Sequence, residues 1–181
     1  MDIVIKKKID LLEENLDWKG AVELFQSSKV NEIDGYLRLM FILVDYLCEC
    51  QYSKEDYDNI SNNLKEIYHQ AKKQYSENSQ FLFFSAIMIY IGEWYFGMDS
   101  LDEATDMLNR AMELSPDNII YKWGYFSITD QRVEINTEMK HLLSRQILND
   151  NLILDWLKNM GLLGEYVLGI IQSIYNEIKT R

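Results

Sequence analysis

Apolar residues recur at steps of three and four along nearly the whole chain, and strict alternation is rare. That periodicity predicts helices and few strands. Ile5, Ile9, Leu12 and Leu16 mark a first helix over 3–15. Asp17 is placed to cap a second over 18–28, which carries Ala21 and Phe25. Residues 30–34 read as a linker ending in Asp34 as a cap, followed by a third helix over 36–50. That helix is apolar almost all round. Arg38, Asp45 and Glu49 interrupt it on one stripe, which predicts burial on most sides and one narrow open line. Ser53 with Asp56 predicts a capping box for a fourth helix reaching residue 75, with Ile60, Leu64, Ile67, Tyr68 and Ala71 on its inner face. A turn over 76–79 leads into the most apolar stretch, 81–98. Beyond it, helices are expected near 119–128, 134–148, 150–159 and 162–179, with Gly161 at a helix C-terminus and Gly164 permitting close packing.

Within 85–118, Ile91-Gly92 and Tyr95 are followed by Ala104, Leu108 and Ala111, and Pro116 ends the run. This pattern resembles one tetratricopeptide repeat, a helix–turn–helix unit of about 34 residues. Met88 and Leu101 depart from it, standing where the family carries a tryptophan and an aromatic residue. Small residues at Gly92 and Ala104 suit a close helix crossing, and Ser100 with Glu103 reads as the capping box of the second helix. Ala21 and Phe25 repeat the spacing of Ala104 and Leu108, as a worn copy would. The resemblance implies an all-α protein: an α-solenoid of tetratricopeptide-like hairpins, forming a single helical-repeat domain over 1–181. Residues 130–181 are its degenerate C-terminal helical cap. It also implies a concave groove lined by the first helix of the repeat, at Ala86, Ile89, Tyr90, Glu93, Phe96 and Gly97.

The composition agrees with a helical globular chain: one proline and eight glycines in 181 residues are too few for many strands and turns. Charge changes the picture more. The net charge of −11 is concentrated in 30–121, where sixteen acids face six bases, whereas 122–181 holds seven of each. Phosphate contacts need basic patches, so a direct nucleic-acid ligand is not expected, and a basic protein partner is. The short basic run Lys6, Lys7 and Lys8 reads as a solvated face beside Asp10, Glu13 and Glu14. Glu93 interrupts the apolar stretch 81–98, and a membrane association is not expected. Residues 1–10 do not follow a signal-peptide pattern. Cys48 and Cys50 are expected as small buried hydrophobes in a reducing cytoplasm, their spacing unsuited to chelating one metal.

No nucleophile elbow, phosphate-binding glycine loop or zinc-binding helix motif occurs in the sequence, and His69 and His141 lack metal-ligand neighbours. Asp99, Asp102, Glu103 and Asp106 do not fit a calcium loop. Binding is therefore expected rather than catalysis, with no cofactor and no metal. The expected contact residues are Asp45, Glu49 and Glu93, walled by the aromatic Tyr90 and Phe96, with Asp102, Glu103 and Asp106 as an outer acidic rank. A short, acidic helical-repeat chain also resembles the cytoplasmic immunity proteins of bacterial polymorphic toxin systems, such as contact-dependent growth inhibition. Segments 117–125 and 161–169 are similar to stretches of such proteins. That resemblance implies occlusion of a cognate, basic, nuclease-type toxin domain. The alternative is a tetratricopeptide-type adaptor or chaperone holding a peptide segment of a partner.

Overall fold

The computed structural model describes residues 1–27, 29–128 and 134–179. Among them are ten α-helices and no strand: α1 Ile3–Glu14, α2 Trp18–Gln26, α3 Ile33–Glu49, α4 Lys54–Tyr75, α5 Ser79–Ile91, α6 Asp102–Leu114, α7 Ile119–Ile128, α8 Glu134–Ile147, α9 Asn151–Asn159 and α10 Gly161–Lys179. A 3-10 turn, Glu93–Phe96, follows α5. The chain groups into two compact units, one of residues 1–76 and 88–101, the other of 77–87 and 102–181, so the division falls inside α5. The C-terminal segment expected to cap an array lies in the second unit, except that 130–133 and 180–181 are outside the described residues.

In the first unit α3 is the central helix, packed by α1, α2 and α4. Every residue from Gly35 to Val44 is buried. One of them is Arg38, 1% exposed, and it corrects the expectation of an open polar line along this helix. Its Nε donates to Glu13 Oε1 at 2.8 Å, and its Nη2 donates to Glu13 Oε2 at 2.5 Å and to Asp10 Oδ1 at 2.6 Å. Nη1 is buried without a partner. Asp10 and Glu13, expected on a solvated face, are thus the charges that make Arg38 tolerable inside. Glu13 is itself buried, and Asp10 remains 44% exposed.

The caps follow the sequence at α2 and α4, α9 has a cap that the sequence reading did not name, and α3 departs from its expected one. Asp17 Oδ1 accepts from Gly20 N at 2.9 Å, Ser53 Oγ from Asp56 N at 3.0 Å, and Asp150 Oδ1 from Leu152 N at 2.9 Å. At α3, Glu32 occupies the capping position without a side-chain bond, and Asp34 sits in the first turn. There its charge faces the positive end of the helix dipole instead of capping it. On α4 the expected inner residues Ile60, Leu64, Ile67, Tyr68 and Ala71 are all buried. Neither cysteine is a buried hydrophobe: Cys48 is exposed and Cys50 half-buried.

The central stretch departs most from expectation. Gly92 lies outside any helix, in an extended conformation, and a Cβ on it would fall 2.7 Å from the Tyr95 ring. Its small size serves that fold-back and not a helix crossing. The chain leaves the helix there because Tyr95 and Phe96 gain partners by doing so. Ser61 Oγ of α4 donates to Tyr95 O at 3.0 Å, and the Phe96 ring meets Tyr68 edge-on at 5.4 Å. Gly97, at φ 76°, then reverses the backbone in the left-handed region that a side chain disfavours.

In the second unit α6 packs on α7, α7 on α8, and α10 on both α8 and α9. Ala104, Leu108 and Ala111 of α6 are fully buried on one face of the helix. Phe83 and Phe84 of α5 stack on Tyr121 and Trp156 respectively, with centroids 5.3 and 5.2 Å apart. Trp123 is buried with its Nε1 donating to Ser144 Oγ at 2.9 Å. Leu163, Val167, Ile171 and Ile174 form the inner stripe of α10. Gly161, at φ 59°, ends α9. Gly164 lets α10 meet α9 closely, since a Cβ there would lie 1.7 Å from the Leu157 carbonyl oxygen.

Two pairs of variants have expected outcomes. Gly164→Ala should destabilise the protein by about 1–3 kcal/mol or more, because backbone and not a movable side chain blocks the methyl. Gly169→Ala, with nothing within 4 Å, should be neutral or gain up to about 1 kcal/mol of helix propensity. Urea unfolding of the pair checks both. Arg38→Met alone should lose about 3–5 kcal/mol by stranding Glu13, whereas Arg38→Met with Glu13→Leu should recover most of it. A double-mutant cycle measures the recovery.

Candidate partner-binding surface

The stripe that begins at Arg38 continues two turns later at Asp45 and one more turn on at Glu49. α1 covers its beginning, and its end is open: Asp45 is half-buried and Glu49 exposed. Neither carboxylate forms an ion pair among the described residues. Burial, and then the Glu49 charge, pushes the Asp45 carboxyl above its ordinary value. Two like charges one turn apart repel each other, and no cation offsets them.

The 3-10 turn supplies the aromatic part. Tyr95 Oη donates to the Leu47 carbonyl at 3.2 Å, tying the turn to the end of α3. Burial, with the neighbouring Cys48 and Tyr52, pushes its phenol up to about 12. Tyr95 also packs against Trp94 at 5.3 Å and Tyr57 at 6.3 Å, and Tyr57 against Tyr52 at 5.9 Å. Trp94 is 54% exposed, an unusual cost for so large a ring, and Tyr52 is also exposed. The result is a row of rings tied to the end of α3, the helix that also carries the two carboxylates, all on the first unit. Cys48 lies among them. Burial pushes its thiol up, the Asp45 and Glu49 charges add to that, and a hydrogen bond with Tyr95 works against it. A thiol so held is a poor nucleophile.

The expected contact residues divide. Asp45, Glu49, Tyr90 and Glu93 belong to the first unit, with Tyr90 38% exposed and Glu93 half-buried in the 3-10 turn. Phe96, expected to wall a groove, is instead 3% exposed and packed on Tyr68, because the helix break at Gly92 turns it inward. Of the other groove positions, Ala86 and Ile89 are fully buried. Asp102 and Asp106 are exposed and Glu103 half-buried on α6 of the second unit. Sequence reasoning missed Trp94, Tyr52 and Tyr57. The Glu-Trp-Tyr-Phe run after a glycine was the available signal for Trp94. Nothing in the spacing of Tyr52 and Tyr57 links them to residue 95.

Among the described residues no cluster of three or more His, Cys, Asp or Glu is arranged to hold a metal ion, and no helix is long and apolar enough to cross a membrane. Compared with family models, curated proteins and solved structures, the chain has no match.

Asp45 yields a pH-dependent expectation. Its folded-state pKa lies above the unfolded one, so ionising it costs stability as pH rises through the carboxylate range, and the cost is fully present at neutral pH. Asp45→Asn should therefore raise the urea midpoint at neutral pH. The gain should vanish below the ordinary aspartate value of 3.8. Parallel titrations of variant and wild type at neutral and acid pH check both the sign and the window.

Proposed function

We propose that the chain is an immunity protein that neutralises a cognate basic, nuclease-type toxin domain by covering it, acting by binding and not by catalysis. The observation that carries this reading is the open end of α3, where Asp45 and Glu49 stand without an ion-pair partner among the described residues, on the same unit as exposed Trp94 and Tyr52. A carboxylate such as Asp45, already partly desolvated and repelled by a like-charged neighbour, gains from an incoming lysine or arginine more than a fully solvated one does. An arginine has a second source of affinity there, since its guanidinium plane stacks on Trp and Tyr rings. The excess of acids over bases in 30–121 extends the same preference over a wider surface and steers a basic partner toward it. Asp102, Glu103 and Asp106, on α6 of the second unit, are a further acidic rank in this reading. In this reading the helices are tetratricopeptide-like hairpins stacked as a solenoid, and the protein works in the cytoplasm, where such toxins act. A peptide-holding adaptor is less well supported, because the groove positions Ala86, Ile89 and Phe96 are buried.

The test is kinetic. Asp45→Asn, Glu49→Gln and Glu93→Gln together should slow association with a cognate toxin domain and flatten its salt dependence. Steering of this kind acts over roughly a Debye length, about 10 Å at 0.1 M salt. The melting temperature of the free protein should not fall. Stopped-flow association at two salt concentrations reads the effect. Rates that are equal in wild type and triple variant, and indifferent to salt, refute this contact surface. Failure of co-production to restore growth with both proteins soluble refutes the immunity reading itself.

A further inference from the structure

The second unit carries an open groove of about 700 Å³ where the start of α7, the end of α8 and the start of α9 converge. Its apolar lining is Ile119, Leu142 and Leu152, and the two leucines are 50% and 83% exposed. A second hollow of about 230 Å³, floored by Ile120, Tyr121 and Trp156, adjoins it and shares Leu152. Leucines left in water on a groove edge mark a surface that gains by being covered.

The charges in the groove choose what covers it. Asp150 lines it, but its Oδ1 accepts from Leu152 N at 2.9 Å and Ile153 N at 3.2 Å, so the start of α9 offsets its charge. Arg145 is exposed, and its guanidinium forms no ion pair among the described residues. Gln146, Asn149 and Asn151 contribute uncharged amides. The groove is thus apolar with a cationic edge, on a chain of net charge −11.

We propose that this groove docks an acidic, apolar linear segment of a partner protein, with its apolar side chains over Leu142 and Leu152 and a carboxylate on Arg145. The amides suit the backbone of an extended peptide. The site lies on the second unit and selects the opposite charge, so it does not depend on the immunity reading.

The test is fluorescence anisotropy of a labelled peptide of alternating leucine and glutamate pairs, titrated with the full chain. The leucine–lysine and serine–glutamate counterparts are run beside it. The leucine–glutamate peptide should bind best. Arg145→Gln and Leu152→Ser should each weaken it by about tenfold or more, a difference of the size one good contact makes. Asp45→Asn with Glu49→Gln should leave it unchanged. Both groove residues are exposed, so the variants should melt with the wild type. No binding, equal binding of the leucine–lysine peptide, or indifference to Arg145→Gln overturns the proposal. So does a concentration-dependent dimer that Leu152→Ser dissolves, since a second copy would then cover the groove.

Discussion

One buried charge constrains the first unit. α3 is enclosed on nearly all sides, yet its second turn carries Arg38, and an unpaired guanidinium in that position would cost several kcal/mol. The cost is met from α1, which presents Asp10 and Glu13 one turn apart so that both reach the same guanidinium. This contact sets which face of α3 lies under α1. A helix is rigid over a few turns, so the orientation at Arg38 fixes where Asp45 and Glu49 emerge, two and three turns further on. The same stripe is therefore an internal anchor at one end and, at the other, a half-buried and an exposed acid. Whether those acids are available to a partner follows from how far α1 extends along α3.

The 3-10 turn depends on that helix in its own way. Tyr95 bonds to the carbonyl of Leu47, and Ser61 bonds to the carbonyl of Tyr95, so α3 and α4 both hold the turn. Tyr95 and Phe96 take the buried positions, which leaves Trp94 facing outward. The position of the aromatic row at the end of α3 is thus a by-product of how the turn is anchored. Raised proton affinity at Asp45 has the same origin: partial enclosure and a like-charged neighbour with no cation supplied. Surfaces that retain such an imbalance in the free protein are those on which a partner's charge yields the largest gain.

In the second unit close approach replaces charge as the constraint. α9 and α10 meet where Gly164 faces the Leu157 carbonyl, with no room for even one methyl. Trp123 is buried with its single donor satisfied by Ser144, so the largest side chain of this unit's core leaves no polar atom stranded. Against that tight interior, Leu142 and Leu152 at the groove are conspicuous for having no cover.

Much of the helix plan was legible in the sequence, because it depends on local physics. Periodicity located the helices, and Asp17 and Ser53 marked two starts through side chains that reach backbone donors within three residues. Ala104, Leu108 and Ala111 were correctly read as interior for the same reason: one face of one helix is a property of spacing. The acidity of the middle of the chain, and with it the sign of the expected partner, is arithmetic on the sequence. Tertiary structure decided the rest. Periodicity alone could not show that Arg38 is buried, since its carboxylates come from another helix 25 and 28 residues away. Nor could it show that the helix breaks at Gly92, because the gain comes from Leu47, Ser61 and Tyr68, all distant in sequence. The repeat-like spacing of 85–118 predicted a continuous helix through Gly92, and long-range contacts outweighed that local preference. They also exchanged the roles of neighbours, sending Phe96 into the core and Trp94 into solvent.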